Sequence, residues 1–120
     1  MSEHETAATG RPVPVTVVLP AVMDISNSLD VRTQLVKACE QDGCRAVVAD
    51  LTKTTFCDTS GACSLVLARM DAVDRNVRLL AVVPSLEVRR VLTLAGLDSV
   101  LPTYASLTEA LAVAYYDGSA

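Results

Sequence analysis

Aromatic side chains and histidine are scarce in this sequence. Its 120 residues include no tryptophan, one phenylalanine, three tyrosines and one histidine, and aromatic residues make up 3%. Single-stranded nucleic acid is bound largely by stacking its bases on aromatic side chains. Nucleic-acid binding also needs a basic face, whereas this chain has a formal net charge of -4. We therefore expect no nucleic-acid partner, and a core built from valine, leucine, alanine and isoleucine.

The four cysteines do not form a metal-binding pattern. Four residues separate Cys39 from Cys44 and five separate Cys57 from Cys63, whereas structural zinc sites use closer pairs. The only histidine, His4, lies in the polar N-terminal stretch, so neither zinc nor a histidine-dependent triad is expected. We predict no metal, no cofactor and four free cysteines that are buried as small apolar side chains. This prediction includes Cys63, which we expect to face the core.

The sequence also shows no pattern that is typical of a targeting or membrane-spanning segment. Residues 1–12 are polar without an apolar segment, and no apolar run approaches the length that spans a bilayer. We expect a cytoplasmic protein without direct membrane insertion. Its expected parts are a flexible N-terminal tail at 1–12, a single domain at 13–116 and a C-terminal tail at 117–120.

Apolar runs and helical periodicity alternate along the chain. Short apolar runs bounded by turn residues predict strands at 13–19, 45–51, 77–83 and 100–101. Helical spacing predicts helices at about 28–41, after Asp58, at 86–95 and after Ser106. Strands joined by helical crossovers form a mainly parallel sheet. The predicted fold class is α/β, with a mainly parallel or mixed sheet of four to five strands and four to five helices.

The finer pattern assigns faces and connections. Pro12 and Pro14 favour an edge position for the first strand. Segments 21–25 and 52–58 are predicted to be connecting loops. Ser85 is the expected cap of the 86–95 helix, whose apolar stripe is predicted to include Ala95. In the helix after Asp58, one side is predicted to carry the apolar residues Ala62, Leu65, Val66, Met70 and Val73.

One polar segment, residues 58–61 (Asp-Thr-Ser-Gly), separates an apolar run from an apolar helix. Thr59 and Ser60 lie where this helix begins, and the first amides of a helix have no partner inside it. In one interpretation the two hydroxyls are helix caps. In the other, one of them is a phosphoacceptor at the positive end of the helix dipole. Local chemistry alone favours capping but leaves both interpretations open.

Known enzyme motifs do not fit this segment. Residues 57–63 have the length of a phosphatase loop, but Cys63 stands where that loop needs an arginine for phosphate. An aspartic protease would require an all-β order of elements, and the five glycines form no nucleotide-binding loop. As a carboxylate pair, Asp24 and Asp58 lack a base that activates a nucleophile. We expect Asp24 to be a turn residue and Asp58 to be an acid in the first turn of the helix. We expect no catalytic residue and no enzymatic activity.

Four landmarks in order resemble a STAS domain, the fold of anti-sigma factor antagonists. The resemblance extends from Val13 to Tyr115. The first landmark is Met23-Asp24 after the first strand. The others are residues 47–52 (Val-Val-Ala-Asp-Leu-Thr), residues 56–61 (Phe-Cys-Asp-Thr-Ser-Gly) and a helix over 88–97 that ends in Gly-Leu.

The resemblance implies a non-enzymatic binding module in a partner-switching pathway. In that family, a GHKL-type anti-sigma factor kinase phosphorylates the hydroxyl residue that follows the loop aspartate. The unphosphorylated antagonist binds the kinase and frees a sigma factor, and a phosphatase resets the phosphorylated form. By position, the resemblance implies phosphorylation at Thr59, with Ser60 as the alternative. The implied partner-binding residues are Asp24, Asp58, Thr59, Ser60, Gly61, Ala62 and Ser85.

The sequence departs from the family pattern around the same segment. Thr59 replaces the commoner serine, Ala62-Cys63 stand where Leu-Gly is frequent, and Ala21-Val22 replace the usual glycine before the first acid. A threonine here also resembles STAS-like accessory subunits of lipid-transport ABC complexes. The alternative hypothesis is therefore a docking subunit of a transport ATPase or a larger signalling assembly that is not phosphorylated.

Overall fold

The computed structural model describes residues 13–118, and these residues form a mixed α/β fold. The predicted fold class is confirmed, with four helices and a mostly parallel sheet within this range. The predicted N-terminal tail at 1–12 lies outside the described residues. In chain order the elements are β1 Val15–Val18, β2 Val22–Met23, α1 Ser28–Cys39, β3 Ala46–Asp50, β4 Phe56–Cys57, α2 Thr59–Asp74, β5 Arg78–Val82, α3 Leu86–Leu94, a 3-10 turn Leu97–Ser99, β6 Thr103–Tyr104 and α4 Leu107–Gly118.

The main sheet has the strand order β1-β3-β5-β6, and every neighbouring pair is parallel. β3 is buried along its whole length, and β5 is buried apart from Arg78. Burial on both faces explains why these strands are continuous apolar runs without alternation. Among the described strands, β1 lies at one edge of this sheet, as its flanking prolines predicted. The carboxyl ends of the parallel strands share one edge of the sheet.

Helices cover both faces of the sheet. Leu35 of α1, Leu65 of α2 and Leu92 of α3 belong to the larger core cluster, together with Val47 and Ala49 of β3. On the opposite face, a smaller cluster joins β3 and β5 to α4 and consists of Ala46, Val48, Leu80, Val82, Ala110 and Ala114. Complete burial of one leucine side chain contributes roughly 1.5–3 kcal/mol to stability. The hydrophobic effect therefore fixes the layers without any aromatic residue in either cluster's buried set.

Two of the three strands with two residues, β2 and β4, form a separate parallel pair beyond the carboxyl edge of the main sheet. Val22 of β2 pairs with Phe56 of β4, and Met23 pairs with Cys57. Met23 and Cys57 are buried, whereas Val22 and Phe56 are exposed. The prediction of connecting loops at 21–25 and 52–58 is wrong at these positions. Strands of two residues are too short to produce a recognisable alternation in sequence.

Three other details of the prediction are wrong. In α2, Met70 and Val73 are 56% and 53% exposed. The buried side of α2 consists mainly of small residues, namely Gly61, Ala62, Ser64, Leu65, Ala68 and Ala72. The prediction relied on the large apolar residues of α2. The structure instead buries its small residues, because they allow α2 to pack closely against its neighbours. Ala95 is exposed at the end of α3, and the last strand lies at 103–104 because residues 97–99 form a 3-10 turn.

Candidate functional site

The β2–β4 pair brings two distant acids together. Asp24 directly follows Met23, and Asp58 directly follows Cys57, so the parallel register places both acids just beyond paired residues. The backbone N–H of Asp58 donates a hydrogen bond to the carbonyl oxygen of Met23 at 3.1 Å. The two predicted partner-binding acids therefore lie at the ends of adjacent strands, although no local sequence pattern links them.

Asp58 is the residue that caps α2. Its backbone is extended, and its side chain accepts a hydrogen bond from the backbone N–H of Gly61 at 3.0 Å. An acidic cap satisfies a first-turn amide and also interacts favourably with the helix dipole. The interpretation of Thr59 and Ser60 as caps is therefore wrong, because both already belong to the helix.

The Thr59 side chain is exposed at the first position of α2. Within the described part of the chain, its hydroxyl makes no hydrogen bond. Ser60, the next residue, is half-buried. Of the two hydroxyls in residues 58–61, Thr59 is thus the more accessible, and no capping function requires it.

Gly61 lies where a side chain does not fit. A Cβ atom at this position would be 2.6 Å from the carbonyl oxygen of Met23, 2.9 Å from the Cβ atom of Met23 and 3.0 Å from the Cys57 sulfur. The first turn of α2 therefore packs directly on β2 and β4. Ala62 is also fully buried. The structure places Gly61 and Ala62 beneath the surface, where they position Thr59.

Asp24 is held in a compact turn before α1. Its carboxylate accepts hydrogen bonds from the backbone N–H of Ser26 at 2.9 Å and from the Ser26 hydroxyl. These bonds, the hydroxyl bond first, lower the pKa of Asp24 below its ordinary value. The Asn27 side chain accepts from the Asp24 backbone N–H at 3.0 Å and donates to the Val22 carbonyl at 2.7 Å. Asp24 is therefore an anion in a fixed turn at neutral pH.

Ser85 caps α3, as the sequence predicted. Its hydroxyl oxygen accepts a hydrogen bond from the backbone N–H of Val88 at 3.2 Å. Ser85 lies after β5 at the carboxyl side of the sheet, and α3 packs against β4. Its hydroxyl is used by the fold, in contrast to that of Thr59.

A groove between α1 and α2 opens beside Thr59 and has a volume of about 280 Å³. We call it the α1–α2 groove, and it is lined by Ile25, Ser28, Leu29, Arg32, Thr59, Ser60, Cys63, Ser64 and Leu67. The sequence analysis missed this groove, because its walls come from two helices that are far apart along the chain. The available signal was a pair of apolar residues, Ile25 just before α1 and Leu29 in its first turn.

The sequence matches the STAS domain family over residues 5–110. The chain belongs to the STAS domain family. The resemblance drawn from the four sequence landmarks is thereby confirmed. No curated protein matches the sequence at a significant level.

Solved structures share the fold of this STAS domain. An anti-sigma-factor antagonist (STAS) domain protein from Planctomyces limnophilus superposes with a TM-score of 0.70 at 20% identity over 82% of this chain and 86% of its own. The unphosphorylated anti-sigma factor antagonist SpoIIAA gives 0.67 at 21% identity, over 82% and 84%. A sulfate transporter family protein from Wolinella succinogenes gives 0.79 at 14% identity, over 93% and 95%. At these identities the likeness establishes the fold.

The cysteines of the STAS domain differ in burial, and all four are free. Cys39 and Cys57 are buried as predicted, and burial raises the pKa of each thiol to about 11. Cys44 is half-buried. The prediction that Cys63 faces the core is wrong, because its side chain is exposed on the α1–α2 groove one helical turn after Thr59. Among residues 13–118, no group of three metal-ligating side chains occurs.

None of the helices in the described range has both the length and the apolar character needed to cross a membrane.

Proposed function

We propose that this STAS domain is an anti-sigma factor antagonist that acts in the cytoplasm as a phosphorylation-switched binding module. The unphosphorylated form binds a GHKL-type anti-sigma factor kinase and frees a sigma factor. Phosphorylation of Thr59 releases the kinase, and a phosphatase resets the switch. In this proposal the protein binds its partner without catalysing a reaction.

The observation that carries this proposal is the Thr59 hydroxyl, which makes no hydrogen bond to any residue that the structure describes. The side chain is exposed at the first position of α2, and Asp58 provides the cap that a hydroxyl at a helix start usually provides. Modification of Thr59 therefore removes no hydrogen bond from the fold. Ser60 remains the alternative acceptor, although its half-buried position makes it harder for a kinase to reach.

The electrostatics of the site support a change of surface rather than a change of fold. A phosphate adds about -1.5 to -2 charges and three acceptor oxygens at neutral pH. At Thr59 this charge would lie near Asp58 and the ionised Asp24. The backbone N–H groups at the start of α2 can donate hydrogen bonds to such an anion. We therefore expect the partner-binding face to change while the fold persists.

An in vitro phosphorylation assay tests the proposal. Each GHKL-type anti-sigma factor kinase of the source organism is purified, mixed with ATP and the chain, and the product is analysed by intact mass and peptide mapping. We expect one phosphate on wild type and on Ser60→Ala, and none on Thr59→Ala. Phosphate on Thr59→Ala but not on Ser60→Ala would assign the acceptor to Ser60. No phosphate from any kinase would reject the switch.

The structural likeness to the Wolinella succinogenes sulfate transporter family protein favours a second candidate function. In this alternative, the STAS domain docks on a transport ATPase or on a larger signalling assembly through the same face and is not phosphorylated. Copurification from native cells with a transport ATPase, together with the absence of phosphate on Thr59, would support this alternative.

A further inference from the structure

The edge of β5 that faces β6 is covered along only part of its length. Ala81 and Val83 donate their backbone N–H groups to the carbonyl oxygens of Pro102 and Tyr104, at 2.9 Å and 2.8 Å. Alternate residues of a strand direct their N–H and C=O groups to the same edge, so those of Leu79, two residues before Ala81, also face this edge. Within residues 13–118, neither group of Leu79 has a hydrogen-bond partner there.

Pro102 and the turn before it stop β6 from covering Leu79. In the register of the two strands, residue 102 would donate to the Leu79 carbonyl, but proline has no N–H. The 3-10 turn Leu97–Ser99 folds the preceding chain on itself, since the Leu101 N–H donates to the Leu97 carbonyl at 2.7 Å. Leu79 is only 4% exposed, and backbone polar groups at such burial are normally paired. A bound main chain would supply the missing partners.

A groove of about 280 Å³ runs along this unpaired stretch, and we call it the β5-edge groove. Arg69 and Val73 of α2 form one wall, Tyr104 of β6 and Val113 of α4 form the other, and Leu79 lies between them. An open strand edge between two walls of side chains is the arrangement to which an extended peptide adds a strand. The geometry of the groove therefore favours a peptide main chain as its occupant.

The charges of the β5-edge groove are positive, although the whole chain has a formal net charge of -4. Its lining includes Arg69 and Arg78 and no acidic side chain. The Arg78 guanidinium donates to the Ala114 carbonyl of α4 at 2.8 Å. Arg69 is half-buried and forms no ion pair with any residue in the described range. Charge complementarity therefore favours an occupant that carries carboxylates.

We propose that the β5-edge groove binds an extended segment of a partner protein, with alternating apolar and acidic side chains, as a strand added to β5. The main chain of this segment pairs with Leu79, its apolar side chains fill the groove, and its carboxylates pair with Arg69. Arg69 lies ten residues after Thr59, about 15 Å along α2. The groove is thus separate from the proposed phosphorylation site, and the inference does not rest on the proposed function.

An NMR titration of the ¹⁵N-labelled full chain with the blocked peptide acetyl-Val-Glu-Val-Glu-Val-amide tests the proposal. We expect saturable binding, with the Leu79 amide among the signals that shift most and the Thr59 amide unchanged. The same peptide methylated at every backbone nitrogen cannot donate main-chain hydrogen bonds, and we expect it not to bind. Equal binding of the methylated peptide would contradict strand addition.

Charge reversal at Arg69 tests the electrostatic part of the proposal. Arg69→Glu should weaken peptide binding about tenfold or more, because like charges then face each other. The matched control is Arg90→Glu, which makes the same change of charge at an exposed residue of α3 outside the groove lining, and it should stay within about twofold of wild type. Thermal melting verifies the fold of both variants. If Arg69→Glu does not fold, a peptide with lysine in place of glutamate tests the charge on wild type and should bind about tenfold more weakly.

Three outcomes would overturn the proposal. The first is no saturable binding of the glutamate peptide to wild type. The second is equal weakening by Arg69→Glu and Arg90→Glu, which would reveal only a general attraction between charges. The third is binding of hexanoate as tight as that of the peptide, which would make the groove a site for small carboxylates.

Discussion

The beginnings of α2 and α3 each carry a hydroxyl residue but use it differently. At α3, the Ser85 hydroxyl accepts the bond from the Val88 amide at 3.2 Å. At α2, the Asp58 carboxylate accepts the corresponding bond from the Gly61 amide at 3.0 Å, and the Thr59 hydroxyl makes no hydrogen bond within residues 13–118. A hydroxyl at a helix start therefore supports the fold or remains available for modification, depending on which residue provides the cap.

The two beginnings also differ in how closely they are packed. The first turn of α2 lies against β2 and β4 at a distance that excludes a Cβ atom from position 61. This contact fixes the position of Thr59, at the start of α2, relative to Asp24, which directly follows β2. The comparison yields four predictions, ordered from the largest expected effect to the smallest.

Gly61→Ala should cause the largest loss of stability. The added Cβ atom would be 2.6 Å from the Met23 carbonyl oxygen, a backbone atom that cannot rotate away. Overpacking of this kind costs about 3 kcal/mol, which exceeds the helix-propensity gain of about 1 kcal/mol from replacing glycine. Urea denaturation measures the free energy of unfolding, and a variant as stable as wild type would contradict the close packing of α2 on β2.

Asp58→Ala should destabilise the domain by about 1–2 kcal/mol, because a first-turn amide of α2 loses its acceptor. Asp58→Asn is the matched control, since asparagine is also a good cap and retains an acceptor oxygen. Urea denaturation of both variants should place asparagine near wild type. Equal losses for the two variants would show that the charge of Asp58, and not its capping bond, matters.

Ser85→Ala and Thr59→Ala test the comparison between the two helix starts directly. Loss of the Ser85 cap should cost about 1 kcal/mol. Loss of the unbonded, exposed Thr59 hydroxyl should change stability by less than about 0.5 kcal/mol. Both values follow from urea denaturation under the same conditions. A larger loss for Thr59→Ala than for Ser85→Ala would mean that the Thr59 hydroxyl is needed by the fold.

Ser26→Ala should have the smallest effect and extends the comparison to the turn before α1. Here a hydroxyl donates to Asp24 and lowers the pKa of its carboxyl. The folded pKa is below the unfolded one, so the stabilisation is present above the unfolded value of about 4 and is lost as pH falls through the folded value. Removal of the Ser26 hydroxyl should raise the pKa of Asp24 towards its ordinary value in an NMR titration. An unchanged pKa would show that this bond does not form in solution.

The sequence predicted those features that depend on local pattern. The buried runs of β3 and β5, the Ser85 cap and the position of residues 58–61 at a helix start are all local, and the structure has them. The choice of cap at α2 was wrong because Asp58, Thr59 and Ser60 are all competent caps. Only the backbone conformation at Asp58 decides between them.

The missed features arise from contacts between elements. Met23 and Cys57 pair across a large sequence separation, and strands of two residues carry too little pattern to predict such a pair. The exposure of Cys63 and the α1–α2 groove depend on how closely α1 approaches α2. The Arg32–Asp71 bond that joins the two helices is equally absent from local periodicity. Local periodicity in a single sequence does not predict distances between elements that are far apart along the chain.

Phosphopeptide mapping of the protein isolated from its native cells tests the central claim most directly. The claim is that the Thr59 hydroxyl is the site of a phosphorylation switch, while the capping bond at the start of α2 comes from Asp58. We predict a growth-dependent fraction of molecules with phosphate on Thr59, and none on that peptide in Thr59→Ala. An absence of phosphate from this peptide in every growth phase would contradict the claim and favour the docking subunit.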